Sequence, residues 1–83
     1  MRSYSGRVIS AAQCRMARAA LDWSIEKLAG EARVGEATVR RLERDRANPI
    51  PATAQAIRTA LESAGVEFIA ENGGGPGVRL RKA

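Results

Sequence analysis

Apolar residues recur at helical spacing through the first two thirds of the chain and at alternate positions near its end. Cys14, Ala17 and Leu21 fall on one face of a helix, with Arg15 and Ala19 facing outward. Ser10 followed by Gln13 is a capping box, in which the hydroxyl and the side-chain amide satisfy orphan donors at a helix start. The first helix is therefore expected to run from there to about Leu21. Asp22 and Trp23 break the pattern, and Ser24 is a good N-cap for a second helix from Ile25 to about Glu31. Ala32-Arg33-Val34-Gly35 leaves room only for a tight turn. A third helix from Glu36 to about Arg44 then directs Val39 and Leu42 inward. Asp45 to Asn48 is a polar loop, after which Pro49 and Pro51 restrict the chain, and Pro51 suits the first turn of a helix. Ala54, Ile57, Leu61 and Ala64 mark the buried stripe of this fourth helix, and Gly65 is placed to end it.

Beyond Gly65 the period changes. Val66-Glu67-Phe68-Ile69 and Val78-Arg79-Leu80-Arg81 read as strands around Asn72-Gly73-Gly74-Gly75-Pro76-Gly77, which is the pattern of a C-terminal β-hairpin. The glycine-rich loop leads into a strand, not a helix, so it reads as a turn and not as a phosphate cradle. A lone two-stranded hairpin is marginal in water, so Val66, Phe68, Val78 and Leu80 need cover. They can fold back on the fourth helix or meet their counterparts in a second chain. The second option is preferred, which makes these residues the candidate dimerisation element. The chain thus divides into a polar arm over 1–9, a helical domain over 10–65 and a hairpin over 66–83.

Composition narrows the chemistry. A chain of 83 residues makes one small domain with a thin core, and a content of 45% apolar but only 4% aromatic residues favours closely packed short helices. The formal charge of +5 suits a polyanionic partner, because each cation placed at a phosphate releases condensed counterions. With no histidine, the usual general base and the histidine-based metal sites are missing. Cys14 has neither a second cysteine for a disulfide nor a histidine to activate it, and reads as a small packing residue. No catalytic residue, metal or cofactor is expected. Nothing approaches the ~20 consecutive apolar residues that a bilayer needs, and the N-terminus lacks the apolar stretch of a secretion signal. A cytoplasmic location without a membrane partner is the expectation.

Two short helices joined by a tight turn, the second rich in arginine, have the geometry that places one helix in the DNA major groove. The residues are more specific than the geometry: Trp23-Ser24-Ile25-Glu26-Lys27-Leu28-Ala29, then Val34, then Thr38-Val39-Arg40-Arg41-Leu42-Glu43-Arg44, then Asn48-Pro49. Over about Ser10 to Gly65 this resembles the Xre-type helix-turn-helix family, that of Cro and the lambdoid phage repressors. The resemblance implies a mostly α, compact lambda-repressor-like bundle of four to five helices, here followed by the hairpin. It also implies a transcriptional regulator that binds double-stranded DNA, with the helix from Glu36 to Arg44 as the recognition helix.

By position in that family, Glu36, Ala37 and Arg41 match residues that meet base edges, while Thr38 and Arg40 match positions nearer the backbone. Side-chain chemistry agrees: Arg41 can donate two hydrogen bonds to guanine, Glu36 can accept one from cytosine, and the Ala37 methyl can touch a thymine methyl. Glu36 has an equal second reading as a favourable anion at a helix N-terminus. Ser24 and Lys27 are candidate phosphate contacts, with Ser24 also a cap. Arg44 and Arg46 can clamp the backbone or be merely solvated. Arg18 and Glu43 match the family's interhelical ion pair, which is a structural role.

Two positions depart from the family pattern. Ile25 stands where a DNA-gripping glutamine is common, and Arg33 where a turn glycine is expected, at ~1 kcal/mol for a non-glycine residue held at positive φ. These two departures leave room for a second class of function: a helix-turn-helix fold used to bind a partner regulator, as an anti-activator or antitoxin does, with the apolar Ile25 on its binding surface. The principal expectation is a homodimer reading paired half-sites roughly 34 Å apart.

Overall fold

The computed structural model describes residues 9–44, 51–69 and 76–81. The arm before Ile9, Asp45, Arg46, Asn48, Pro49 and the glycine loop over 72–75 lie outside the described residues. In chain order the elements are α1 (Ala11–Leu21), α2 (Ile25–Ala32), α3 (Glu36–Arg44), α4 (Pro51–Ser63), β1 (Val66–Ile69) and β2 (Gly77–Leu80). The fold is mostly helical with a C-terminal antiparallel hairpin, as the sequence pattern implies.

Local chemistry sets the helix ends. Ser10 accepts from the Gln13 amide and Gln13 returns a bond to the Ser10 N–H, both at 3.0 Å, so the capping box forms at α1. Ser24 Oγ accepts from the Lys27 amide at 3.0 Å and starts α2. Both helices end on a residue in the left-handed region, Asp22 at φ 59° and Arg33 at φ 60°. At each end the following amide reaches back across the last turn: Trp23 N–H to Arg18 O at 2.9 Å, and Val34 N–H to Ala29 O at 3.0 Å. Trp23 and Val34 then pack partly against the core. The expected turn glycine is therefore replaced in identity but not in conformation. Arg33 takes up the glycine-like geometry, and α2 runs one residue past Glu31, to Ala32.

Leu28, Val39, Ile57 and Leu61 are fully buried with Cys14 and Ala17, so α1 to α4 share one core. Leu21, expected within it, is half-buried at its edge, and Ala64 is half-buried at the end of α4. Gly65, at φ 109°, turns the chain out of α4 into β1. The hairpin pairs Val66 with Leu80, Phe68 with Val78 and Ile69 with Gly77, so its second strand begins one residue earlier than Val78.

Of the two covers open to the hairpin, the helices provide one within the chain. Val66 is fully buried, and Phe68 and Val78 are partly buried against the core. Val66 is thereby removed from any surface that a second chain could meet, and only Leu80, 48% exposed, remains strongly accessible on that face. Gln13 locks the arrangement: its side-chain amide donates to Ile69 O at 3.2 Å and to Gly77 O at 3.1 Å, tying the start of α1 to both strands. On the opposite face Arg79 Nε donates to Glu67 at 2.6 Å, and this bond holds the Glu67 carboxyl below its usual range.

A buried polar cluster fixes α3 against α1. Glu43 is only 6% exposed, yet its carboxylate accepts from Arg18 Nε at 2.7 Å and Arg18 Nη2 at 2.9 Å. The Cys14 thiol donates to the same carboxylate at 3.3 Å, and Arg15 donates to the Glu43 carbonyl. Arg18 Nη1 reaches Trp23 O at 3.0 Å, so one guanidinium joins α1, α3 and the entry to α2. The hydrogen bond to Glu43 strengthens the hold of Arg18 on its proton. Burial first, then the Glu43 charge, pushes the Cys14 thiol far above its ordinary 9.0.

Replacing Glu43 by Ala should cost roughly 3 kcal/mol in urea unfolding, the lower end expected for breaking a buried pair, because Arg18 keeps partial access to water. A loss below ~1 kcal/mol would place the pair among ordinary surface ion pairs. The thiol gives a pH dependence of defined sign. A folded-state pKa above the unfolded one contributes stability below pH 9.0, the ordinary value. That contribution should fall by up to ~1.4 kcal/mol per pH unit at higher pH, as the thiol of the unfolded chain ionises. Cys14→Ala should remove this component from the alkaline stability profile; an unchanged profile would refute the assignment.

Candidate nucleic-acid interface

The exposed surface of α3 follows from how the helix divides its residues. Val39, Leu42 and Glu43 turn inward and are buried. Glu36, Ala37, Arg40, Arg41 and Arg44 are exposed, and Thr38 is half-buried. Ala37, Arg40, Arg41 and Arg44 share one stripe because residues three, four and seven apart superpose on a helix. Glu43 and Arg44 are adjacent in sequence, yet the first is buried and the second exposed, so the same helix is anchored by a carboxylate and presents a guanidinium.

The exposed cations differ in their commitments. Arg40 Nη2 donates to Glu36 Oε1 at 3.2 Å across one helical turn. Among the described residues, Arg41 and Arg44 have no hydrogen-bond or ion-pair partner. Lys27 pairs with Glu31 at 3.2 Å and sits 5.6 Å from the Trp23 ring centroid, which holds its ammonium beside the start of α2. The Ser24 hydroxyl is engaged in capping. Arg33 is exposed at the turn between α2 and α3.

Of the residues singled out in the sequence, Glu36, Ala37, Thr38, Arg40, Arg41 and Arg44 lie on α3, while Ser24 caps α2 and Lys27 lies in its first turn. Arg46 lies outside the described residues. Ile25, which leaves the α2 entry without a glutamine amide, is partly buried against the core. Two contributions had no distinct mark in the sequence: the second role of Gln13 on the hairpin carbonyls, and the thiol bond of Cys14 to Glu43. Gln13 was legible as a cap, and only its long-range partners were hidden.

No helix among the described residues is long and apolar enough to cross a membrane. No curated protein matches the chain. A helix-turn-helix family model matches residues 15–68, which spans all of α2, α3 and α4 and reaches into β1. The chain belongs to the Xre and lambda-repressor-like helix-turn-helix family of DNA-binding transcription regulators.

Proposed function

We infer that this chain is a sequence-specific regulator that places α3 in the major groove of an operator and binds paired half-sites as a homodimer. The observation that carries the reading is the division of α3: its inward residues are consumed by the core and by Arg18, while Arg41 and Arg44 stand exposed with no partner among the described residues. Unpaired guanidinium groups on a helix held at a fixed rotation suit both base and phosphate contact. Arg41 is the chief base reader, through a guanine edge, with Ala37 beside it for a thymine methyl. Arg44, Lys27, Thr38 and the α2 amides above Ser24 meet phosphates, and Lys27 exchanges Glu31 for a phosphate oxygen on binding. Arg46 extends this clamp by its place in the sequence.

The homodimer reading rests on the two-fold logic of operator binding, in which linked half-sites turn two weak modules into one strong binder. Exposed Leu80, at the rim of the hairpin, is its contact candidate, with Phe68 and Val78 behind it. The partner-regulator alternative rests on the departures at Arg33, which keeps the glycine-like turn conformation, and at Ile25, taken as a surface group. Its partial burial against the core gives that side chain a place within the chain, so the DNA reading is preferred.

Selection of bound DNA from random duplexes, followed by affinity across a salt series, tests the proposal. A recovered two-fold motif and a steep fall in affinity with salt are expected. Arg41→Ala should cost roughly 1–3 kcal/mol on the selected site and relax discrimination at one position of each half-site. Failure to recover a motif, or a flat salt response, would overturn the DNA reading.

A further inference from the structure

A carboxylate at the start of a helix that enters DNA is a physical problem. Glu36 is exposed at the first position of α3, the end whose residues contact base edges when such a helix lies in the major groove. A free carboxylate there would be repelled by phosphates on both sides. Arg40 changes this, because its Nη2 holds Glu36 Oε1 at 3.2 Å. The order, glutamate four residues before the cation, is the favourable one on a helix. The pair carries no net charge, restrains the glutamate side chain, and leaves Glu36 Oε2 without a bond among the described residues. What is presented at the groove is an oriented acceptor without the penalty of an isolated anion.

We propose, resting on the DNA reading above, that Glu36 reads a cytosine and that Arg40 is its positioning residue, in place of the backbone contact its sequence position implies. Glu36 Oε2 accepts from the cytosine N4 amino group, the major-groove donor of a C·G pair. Adenine also offers an amino donor there, but beside the N7 acceptor, which a carboxylate repels and a glutamine amide satisfies. Guanine presents only acceptors on this edge and thymine a carbonyl and a methyl, so neither suits a carboxylate. The Glu36 position of the motif is distinct from the one read by Arg41, and the two side chains make opposite demands: an acceptor reading a donor, and a donor reading acceptors.

The experiment is DNA selection with the full chain and its Glu36→Gln, Glu36→Ala, Arg40→Ala and Arg40→Lys variants, each checked for unchanged thermal unfolding. The positions are exposed, so the fold should be retained. The unaltered chain should return a motif with a cytosine column. Glu36→Gln should convert that column to adenine, with roughly 10- to 100-fold preference for the new base over cytosine. Arg40→Ala should blur the same column and leave the Arg41 column sharp, and Arg40→Lys should restore it in part. If Arg40→Ala instead weakens all sequences uniformly and lowers the salt slope by about one, Arg40 is a phosphate contact and the proposal is overturned. It is also overturned if Glu36→Gln and Glu36→Ala tighten binding to every sequence without changing a column, which marks Glu36 as a mere countercharge. A motif with no Glu36-dependent column refutes this inference alone; no motif from the unaltered chain refutes the DNA reading with it.

Discussion

The inward carboxylate of Glu43 is the constraint on which the presentation of α3 depends. A nine-residue helix with only Val39 and Leu42 as buried apolar anchors can trade a small rotation for little loss of contact. Glu43 removes that freedom, because a rotation would withdraw its carboxylate from Arg18 and the Cys14 thiol and leave a charge buried without partners. Fixing the inward residue also fixes the outward ones. Arg40, Arg41 and Arg44 are therefore aimed by an interaction on the buried side of the helix. Arg18 extends the constraint to Trp23 O, so the start of α2, where Ser24 and Lys27 stand, is referenced to the same guanidinium.

The turn between α2 and α3 shows a conformation outlasting the residue type that usually supplies it. Arg33 is held at φ 60° and ψ 45°, where a side chain carries a cost of ~1 kcal/mol. The returning amide of Val34 and the packing of Val34 against the core offset this, as the equivalent bond and Trp23 do for Asp22 at the end of α1. A guanidinium at a helix C-terminus adds a favourable interaction with the helix dipole. Departure from the family pattern at this position thus leaves the angle between the two helices to tertiary packing instead of to glycine.

Elements and caps were legible in the sequence because they are set by nearest neighbours. Ser10 with Gln13, Ser24, the Cys14 and Ala17 face, the Val39 and Leu42 pair, and the period change after Gly65 all act over a few residues. The Arg18 and Glu43 partnership was available only through resemblance, since nothing local distinguishes an inward glutamate from a solvated one. The destination of the hairpin was hidden for the same reason. Alternation states that Val66, Phe68, Val78 and Leu80 share a face, but not what covers it. The bonds from Gln13 to Ile69 O and Gly77 O span most of the chain, and a capping glutamine has the same sequence signature with or without them. At the interface, exposure of α3 was legible, whereas the engagement of Arg40 with Glu36 depends on side-chain rotamers that spacing permits without requiring.

The docking of the hairpin limits how two copies of this chain could cooperate. With Val66 in the core and the outer face carrying the Glu67 and Arg79 ion pair, Met16 and Leu80 are the exposed large hydrophobics among the described residues. Burying one such side chain stabilises by about 1.5–3 kcal/mol, well short of the loss of translational and rotational freedom on association. A dimer built on these residues alone would be weak in free solution. On the proposed paired half-sites the cost would be met largely by the DNA, which would hold the two chains at high local concentration, so a small apolar contact would be enough to couple them. Under that proposal the sharpness of operator recognition would depend on how rigidly each α3 is aimed, which returns the burden to Glu43 and Arg18 rather than to the hairpin.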